Sequence, residues 1–223
     1  MIPYSCKQFN WLAYQVNNTS FARVAPSIAG EVLDLGCGEK PFKKEIQSIA
    51  DTYVGVDWPA TLHAKSEIDV YADISKDLPI KNESFDTVVS FQVMEHLPEP
   101  AIFLREACRV LRPGGKIILT TPFMWGVHEA PHDYYRYTPF GLKHLLTRAG
   151  FMKINVTPNT GFWIMAGLRF NYHLYRFNNP LLKPFFIVLF WLIQTAARLL
   201  DRVDFNPDDA ASYTATAEKQ IVS

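Results

Sequence analysis

The stretch Glu31-Val-Leu-Asp-Leu-Gly-Cys-Gly-Glu-Lys-Pro-Phe42 decides the fold. It opens as a short apolar strand carrying one acid, Asp34, and runs into the pair Gly36 and Gly38. Glycines in that position let backbone approach a ligand where any side chain would collide. A second short run, Thr52 to Val56, ends at Asp57, about 20 residues on, where an acid can accept both ribose hydroxyls. Strand, glycine turn and distant acid together describe a nucleoside-binding site.

On either side the chain alternates between short β-branched runs and helical patterns, the rhythm of a parallel α/β sheet. Strands are predicted at Glu31 to Leu35, Thr52 to Val56, Thr87 to Phe91 and Lys116 to Thr120, and helices at Lys43 to Ala50 and Ala101 to Leu111. Arg112-Pro-Gly-Gly115 stops a helix and turns into the next strand. Thr138-Pro-Phe-Gly reads as an N-cap with proline at the first helical position, Gly150 closes that helix, and a strand follows over Phe151 to Thr157. The alternating segment Ser212 to Lys219 is expected to be the final edge strand.

These signals divide the chain into an N-terminal helical cap (1–30, with Phe9, Trp11, Leu12, Tyr14 and Val16), an α/β core (31–157), an aromatic helical insertion (158–211) and the last strand of the core (212–223). Phe185 to Ile193 is an uninterrupted apolar run bounded by Lys183, Gln194 and Arg198. That is shorter than the roughly 20 residues of a membrane span, so spanning is not expected. Three roles stay open for it: a lid or wall over the acceptor, a helix lying on a membrane through 181–200, and a contact between copies of the chain.

Composition narrows the class. Of 223 residues, 48% are hydrophobic, enough for a substantial core. Lys plus Arg and Asp plus Glu both total 22, so no excess cation attracts a phosphate backbone, and nucleic acid is not an expected partner. Cys6, Cys37 and Cys108 are widely spaced and odd in number, which favours a reducing cytoplasm over a disulfide framework. The start Met-Ile-Pro-Tyr-Ser-Cys-Lys lacks the features of a secretory signal, so the expected location is cytoplasmic, with peripheral contact to the inner membrane face left open.

Five segments in order, Val32-Leu-Asp-Leu-Gly-Cys-Gly38, Gly55-Val-Asp57, Ala72-Asp-Ile74, Phe85 to Leu97 and Leu104 to Gly115, make the chain resemble the class I S-adenosylmethionine-dependent methyltransferases of the type 11 bacterial branch. The resemblance implies a Rossmann-like seven-stranded sheet with helices on both faces, six strands parallel and one antiparallel. It implies S-adenosyl-L-methionine as cofactor. Asp34, Gly36, Cys37 and Gly38 would line its methionine and ribose portion, Asp57 and Trp58 its ribose, Asp73 and Ile74 its adenine, with Phe91 and Gln92 beneath. The third glycine common in this motif is Lys40 here, which puts the path of the loop in question. A dinucleotide fingerprint would need glycine at position 41, which is Pro41.

Methyl transfer requires the acceptor to be held near the methyl group and, for a hydroxyl, to lose its proton. His132, then His128, are the candidate bases, on the loop from Thr121 to Thr138 that follows a strand's carboxyl end. The competing reading is that Asp133 and Arg136 pair with each other and the histidines only pin the loop. Tyr134, Tyr135 and Tyr137 are expected to pack or wall the pocket. A metal held by His128 and His132 is not expected, because Pro131 keeps them off one helix face. Glu95-His96 is expected to cap the following helix. The acceptor is read as a small molecule or a lipid- or glycan-linked intermediate; a catalytically silent binding protein of the same fold is the rival, against which the acids at 34, 57 and 73 speak.

Overall fold

Val32, Leu33 and Leu35 have no exposed surface, and successive strand residues face opposite sides of a sheet, so both sides of this strand must be covered. The computed structural model, which describes residues 1–2, 4–59 and 68–221, shows what covers them; positions 3, 60–67 and 222–223 of the expected cap, core and last strand lie outside the described residues. On one side Val32, Val89 and Ile118 pack with Phe21, Val24 and Ile28, and with Phe42 and Ile46. On the other, Leu33, Leu35, Val88, Ile117 and Leu119 pack with Phe103, Leu104, Leu142 and Leu146.

The strands are β1 (Glu31–Leu35), β2 (Thr52–Asp57), β3 (Val70–Tyr71), β4 (Phe85–Phe91), β5 (Leu111–Pro122), β6 (Phe151–Pro158) and β7 (Ser212–Lys219). The helices are α1 (Trp11–Val24), α2 (Lys43–Gln47), α3 (Pro100–Val110), α4 (Pro139–Arg148), α5 (Phe162–Tyr175) and α6 (Lys183–Val203). The sheet order is β3-β2-β1-β4-β5-β7-β6. β1 to β5 pair in parallel, and β7 runs antiparallel to both β5 and β6. The chain therefore leaves β1 toward opposite halves of the sheet, which opens a crevice beyond the carboxyl ends of β1 and β4.

Three expectations are corrected. β7 is not an edge strand: it lies between β5 and β6, and β6 forms the edge. Its alternation suggested one wet face, but the polar member Thr214 is buried and donates to Asn159 Oδ1 at 2.7 Å, while Tyr213, Ala215 and Ala217 fill the core. Arg112 to Gly115 is not a turn between elements but an irregular stretch inside β5, where the pairing jumps from Phe85↔Leu111 to Thr87↔Lys116. Arg112 anchors it on Asp86 (2.6 Å) and Glu31 (2.7 Å). The apolar run belongs to a 21-residue helix, α6, which is long and apolar enough, by length and composition, to cross a membrane.

One side of α6 packs inward through Phe186, Phe190, Gln194, Ala197 and Asp201. Gln194 accepts from Leu12 N (2.9 Å) and donates to Gln8 O (3.1 Å), and Asp201 accepts from Gly161 N (3.1 Å), so α6 is tied to α1 and to the start of α5. Leu12 of α1 shares a cluster with Met165, Leu168 and Ala197.

The α4 start matches the sequence reading: Thr138 accepts from Gly141 N at 3.0 Å, with Pro139 as the first residue. Losing such a cap costs about 1 kcal/mol. Thr138→Ala is accordingly expected to lower the unfolding free energy by about that amount in urea titration, with an unchanged slope.

Candidate active site

The backbone leaving β1 enters the left-handed region three times, at Gly36 (φ 77), Gly38 (φ 49) and Lys40 (φ 50). Gly36 N and Cys37 N both donate to Val56 O, at 2.9 and 3.0 Å, locking the turn to β2. A Cβ on Gly36 would lie 2.6 Å from Val93, so alanine fails there on both space and backbone angle. Lys40, where the related motif has glycine, keeps the left-handed conformation. Its buried side chain reaches Asp69 at 2.6 Å and passes over the Tyr53 ring at 5.2 Å. Asp69 also accepts from Gly55 N at 2.7 Å, so one ion pair holds the glycine turn against β2. The loop path is preserved by a side-chain anchor where glycine would supply only freedom.

Asp57 closes the other side of the turn. Its Oδ2 accepts from Gly38 N (2.7 Å) and its Oδ1 from Trp58 N (2.6 Å). Each oxygen keeps a second lone pair, which suits a ligand diol. Beyond lies a cavity of about 930 Å³, lined by Gly36, Cys37, Gly38, Asp57, Trp58, Asp73, Ile74, Phe91 and Gln92. That volume is at the upper end of the range for small-molecule sites, enough for a nucleoside cofactor and a second reactant. Gln92 follows β4 with φ 57 and donates from its backbone to Thr120 O at 2.9 Å, which fixes the cavity floor.

One expected site residue stands behind the wall. Asp34 does not line the cavity: it is buried and accepts from Tyr53 Oη at 2.5 Å. Burial pushes its carboxyl up to about 7, against the Tyr53 hydrogen bond. Burial likewise pushes the Cys37 thiol up to about 12, which makes it a poor nucleophile. Asp73 does line the cavity, but Ser75 N (3.0 Å), Ser75 Oγ (2.6 Å) and Lys76 Nζ (2.9 Å) already occupy its carboxylate.

The far end of the cavity is built from the β4 and β5 loops. His132 lines it and meets the edge of Trp58 at 5.5 Å across the mouth. His128 does not line it. Asp133 pairs with Arg136 through both oxygens (2.6 and 2.7 Å) and accepts from His128 N (2.8 Å), so this part of the loop is pinned as the competing reading held. The Arg136 guanidinium holds the Asp133 carboxyl far below the usual range. His128 meets His96, at 4.9 Å between rings, rather than His132.

Glu95 and His96 do not cap α3. They form a 3-10 turn with Met94, and α3 begins at Pro100 without a side-chain cap. His96 lines the cavity, and Glu95 is fully buried behind it, its carboxyl pushed up to about 8 by burial. Tyr137 is buried and donates to Met94 O at 3.0 Å, as a packing residue, while Tyr134 walls the cavity. The lid expectation fails: among the described residues no lining residue comes from 158–211, and α1 supplies the wall through Tyr14, Asn17, Ser20 and Phe21. The amphipathic opening was the only signal of this; nothing in it pointed to a pocket.

Two outcomes follow for the acids. An acid raised in the folded state adds stability below its ordinary pKa and loses it as pH rises through the raised value. From pH 5 to 8 the cofactor-free protein should therefore lose about 2–3 kcal/mol through Asp34, and Asp34→Asn should flatten that loss in urea titrations. Asp57→Ala should weaken S-adenosylhomocysteine binding about 10- to 100-fold by calorimetry, the loss of hydrogen bonds to a charged acceptor; undiminished binding would rule Asp57 out of the site.

The methyltransferase domain family profile matches residues 33–119, which span β1, the glycine turn, Asp57 and the β4 loop. The chain is 35% identical over 127 residues to a probable S-adenosylmethionine-dependent methyltransferase of Mycolicibacterium smegmatis, covering 54% of this chain and 49% of that protein. It is 29% identical over 166 residues to the ubiquinone biosynthesis O-methyltransferase of Nitrosococcus oceani, covering 61% and 70%. It thus spans about half the length of the first of these relatives. A SAM-dependent methyltransferase structure from Archaeoglobus fulgidus superposes with a TM-score of 0.60 at 18% identity, covering 92% and 94% of the two chains, a likeness of fold. With the glycine cradle and the Asp57 carboxylate fitting an adenosyl ligand, the stretch 33–119 is similar to the methyltransferase domain family, and it stands in a fold shared with S-adenosylmethionine-dependent methyltransferases.

Proposed function

We propose that this protein moves the methyl group of S-adenosylmethionine to a hydroxyl of a largely apolar acceptor, small or lipid-linked, drawn from a membrane surface. The observation that carries the reading is the second half of the cavity. Past the cofactor residues it continues between Tyr14 and Phe21 of α1 and the His96, His132 and Tyr134 side of the β4 and β5 loops. Apolar rings with a few imidazoles suit a greasy acceptor that ends in a hydroxyl. The O-methyltransferase named among the relatives acts in ubiquinone biosynthesis, which agrees with that chemistry.

When bound, the cofactor supplies an electrophilic methyl group on a sulfonium. The chain's own part is alignment and proton removal. Gly36, Gly38 and Asp57 fix the nucleoside end, and the ring walls exclude water from the acceptor. Gly36, Gly38 and Asp57 would hold the cofactor that supplies the methyl group, and the His132 imidazole would take the proton of the acceptor hydroxyl.

The membrane part rests on the outer face of α6. Phe185, Val188, Leu192, Leu199 and Val203 fall on one stripe and are 51–88% exposed, beside Lys183 and Arg202. An apolar stripe flanked by cations fits an anionic bilayer surface. Incubation with methyl-labelled S-adenosylmethionine and fractionated cell extract should put label in the organic phase. The protein should co-sediment with anionic vesicles, and Val188→Asp with Leu192→Asp should remove both vesicle binding and most lipid-phase labelling while leaving S-adenosylhomocysteine affinity unchanged. Label confined to water-soluble products, with no vesicle binding, would end the membrane reading; no transfer to any fraction would end the enzymatic one.

A further inference from the structure

Glu95 is fully buried beside the cavity-lining His96, and among the described residues neither of its carboxylate oxygens has a hydrogen-bond partner. Burying a polar group without a partner is costly, and an ionised carboxylate more so. Two imidazole nitrogens lie near one of these oxygens. His96 Nε2 lies 3.7 Å and His128 Nε2 3.9 Å from Glu95 Oε1. These gaps are too long for hydrogen bonds and close to the separation of two ligands on one ion, about 3.4 Å for a tetrahedral site with bonds of about 2.1 Å.

His96 Nδ1 is 2.6 Å from the carbonyl of His132, which can only accept, so Nδ1 carries the proton and Nε2 of the neutral ring presents a lone pair. That lone pair faces Glu95 Oε1 and also Glu129 Oε2 at 3.7 Å. His128 Nδ1 sits by Gly126 O at 3.3 Å and Asp133 Oδ2 at 3.4 Å and also by the donor Arg136 Nη2 at 3.4 Å, while its Nε2 is turned toward Glu95. Imidazoles that donate from one nitrogen to a carbonyl or carboxylate and aim the other inward are arranged as metal ligands are. Lone pairs converging on carboxylate oxygens repel unless a cation stands between them.

We propose that Glu95, His96 and His128 hold a divalent transition-metal cation, with Glu129 as a fourth ligand in reach. One ligand atom from each of the first three lies within 4.8 Å of the others. Two imidazoles and one or two carboxylates suit zinc-class ions rather than calcium or magnesium. The turn after β4 supplies two ligands, and the pinned loop after β5 supplies the third, so the Asp133–Arg136 pair gains a purpose: it holds His128 in place. Because His96 and Glu129 also line the cavity, a bound ion would keep a position open toward the acceptor and could coordinate its oxygen. The ion's binding is independent of which acceptor is used.

The test uses the full chain stripped with chelator and titrated with Zn²⁺ by calorimetry and with Co²⁺ by visible absorption. One ion per chain at micromolar affinity or tighter is expected, with cobalt bands of nitrogen and oxygen ligation. Glu95→Gln keeps the buried shape and His128→Ala changes only the loop; each should weaken binding at least tenfold while S-adenosylhomocysteine affinity stays the same. His144→Ala, on the exposed side of α4, should change neither. Absence of saturable uptake, as expected if Glu95 is simply a neutral acid, overturns the proposal; so does uptake that survives Glu95→Gln and His128→Ala together.

Discussion

At the end of β1 the chain must reverse within a few residues between β2 and the cavity, and this demands left-handed backbone at Gly36, Gly38 and Lys40. The turn depends on bonds from Gly36 and Cys37 to Val56 and on the Lys40–Asp69 pair that ties it to β2. Asp57 is oriented by Gly38 N and by its own neighbour, Trp58 N. The placement of the cofactor carboxylate thus follows from the same few bonds that make the turn. A non-glycine residue in left-handed conformation costs energy, and here the ion pair from the buried Lys40 to the half-exposed Asp69 offsets it.

The architecture reaches the cavity from two sides. β1 to β4 and the turns after them supply one side, and the other comes from outside the glycine motif, from α1 and from the loops after β4 and β5. α1 carries two duties at once. Tyr14 and Phe21 face the cavity, while Leu12 packs on α5 and α6, and Phe9, just before α1, stacks on Tyr175 at 3.8 Å. The aromatic insertion therefore shapes the pocket at one remove, as a buttress for its wall.

What could be read from the chain depended on how local the physics was. β1 is bounded by residues whose burial and glycines are both local, and its limits Glu31 and Leu35 coincide with the expected ones. The α4 cap is three residues long in its logic and was equally legible. β7 had its span foretold but not its place, because an alternating strand with Thr214 satisfied by Asn159 looks in sequence like a half-wet edge. β3, two residues long, gives no periodic signal at all. The meeting of Glu95 with His128 spans two loops and is a tertiary fact; of the candidate bases His132 and His128, chosen as imidazoles on the loop after β5, only His132 lines the cavity. Asp34 was assigned by resemblance to the cofactor, yet its oxygen faces Tyr53.

The interior position of β7 has a bearing on how the chain acquires its fold. Until Ser212 to Lys219 exists, β5 has an unpaired edge and β6 has no neighbour to join, although both precede it by many residues. During synthesis the N-terminal half can close around the cofactor turn early, whereas the other half must wait, with α5 and α6 and their exposed apolar stripe already made. Such delayed long-range pairing is slow and leaves hydrophobic surface open to other contacts. The nascent protein is thus at its most adhesive just before its last strand arrives, which makes the final segment a safeguard against aggregation as much as a part of the sheet.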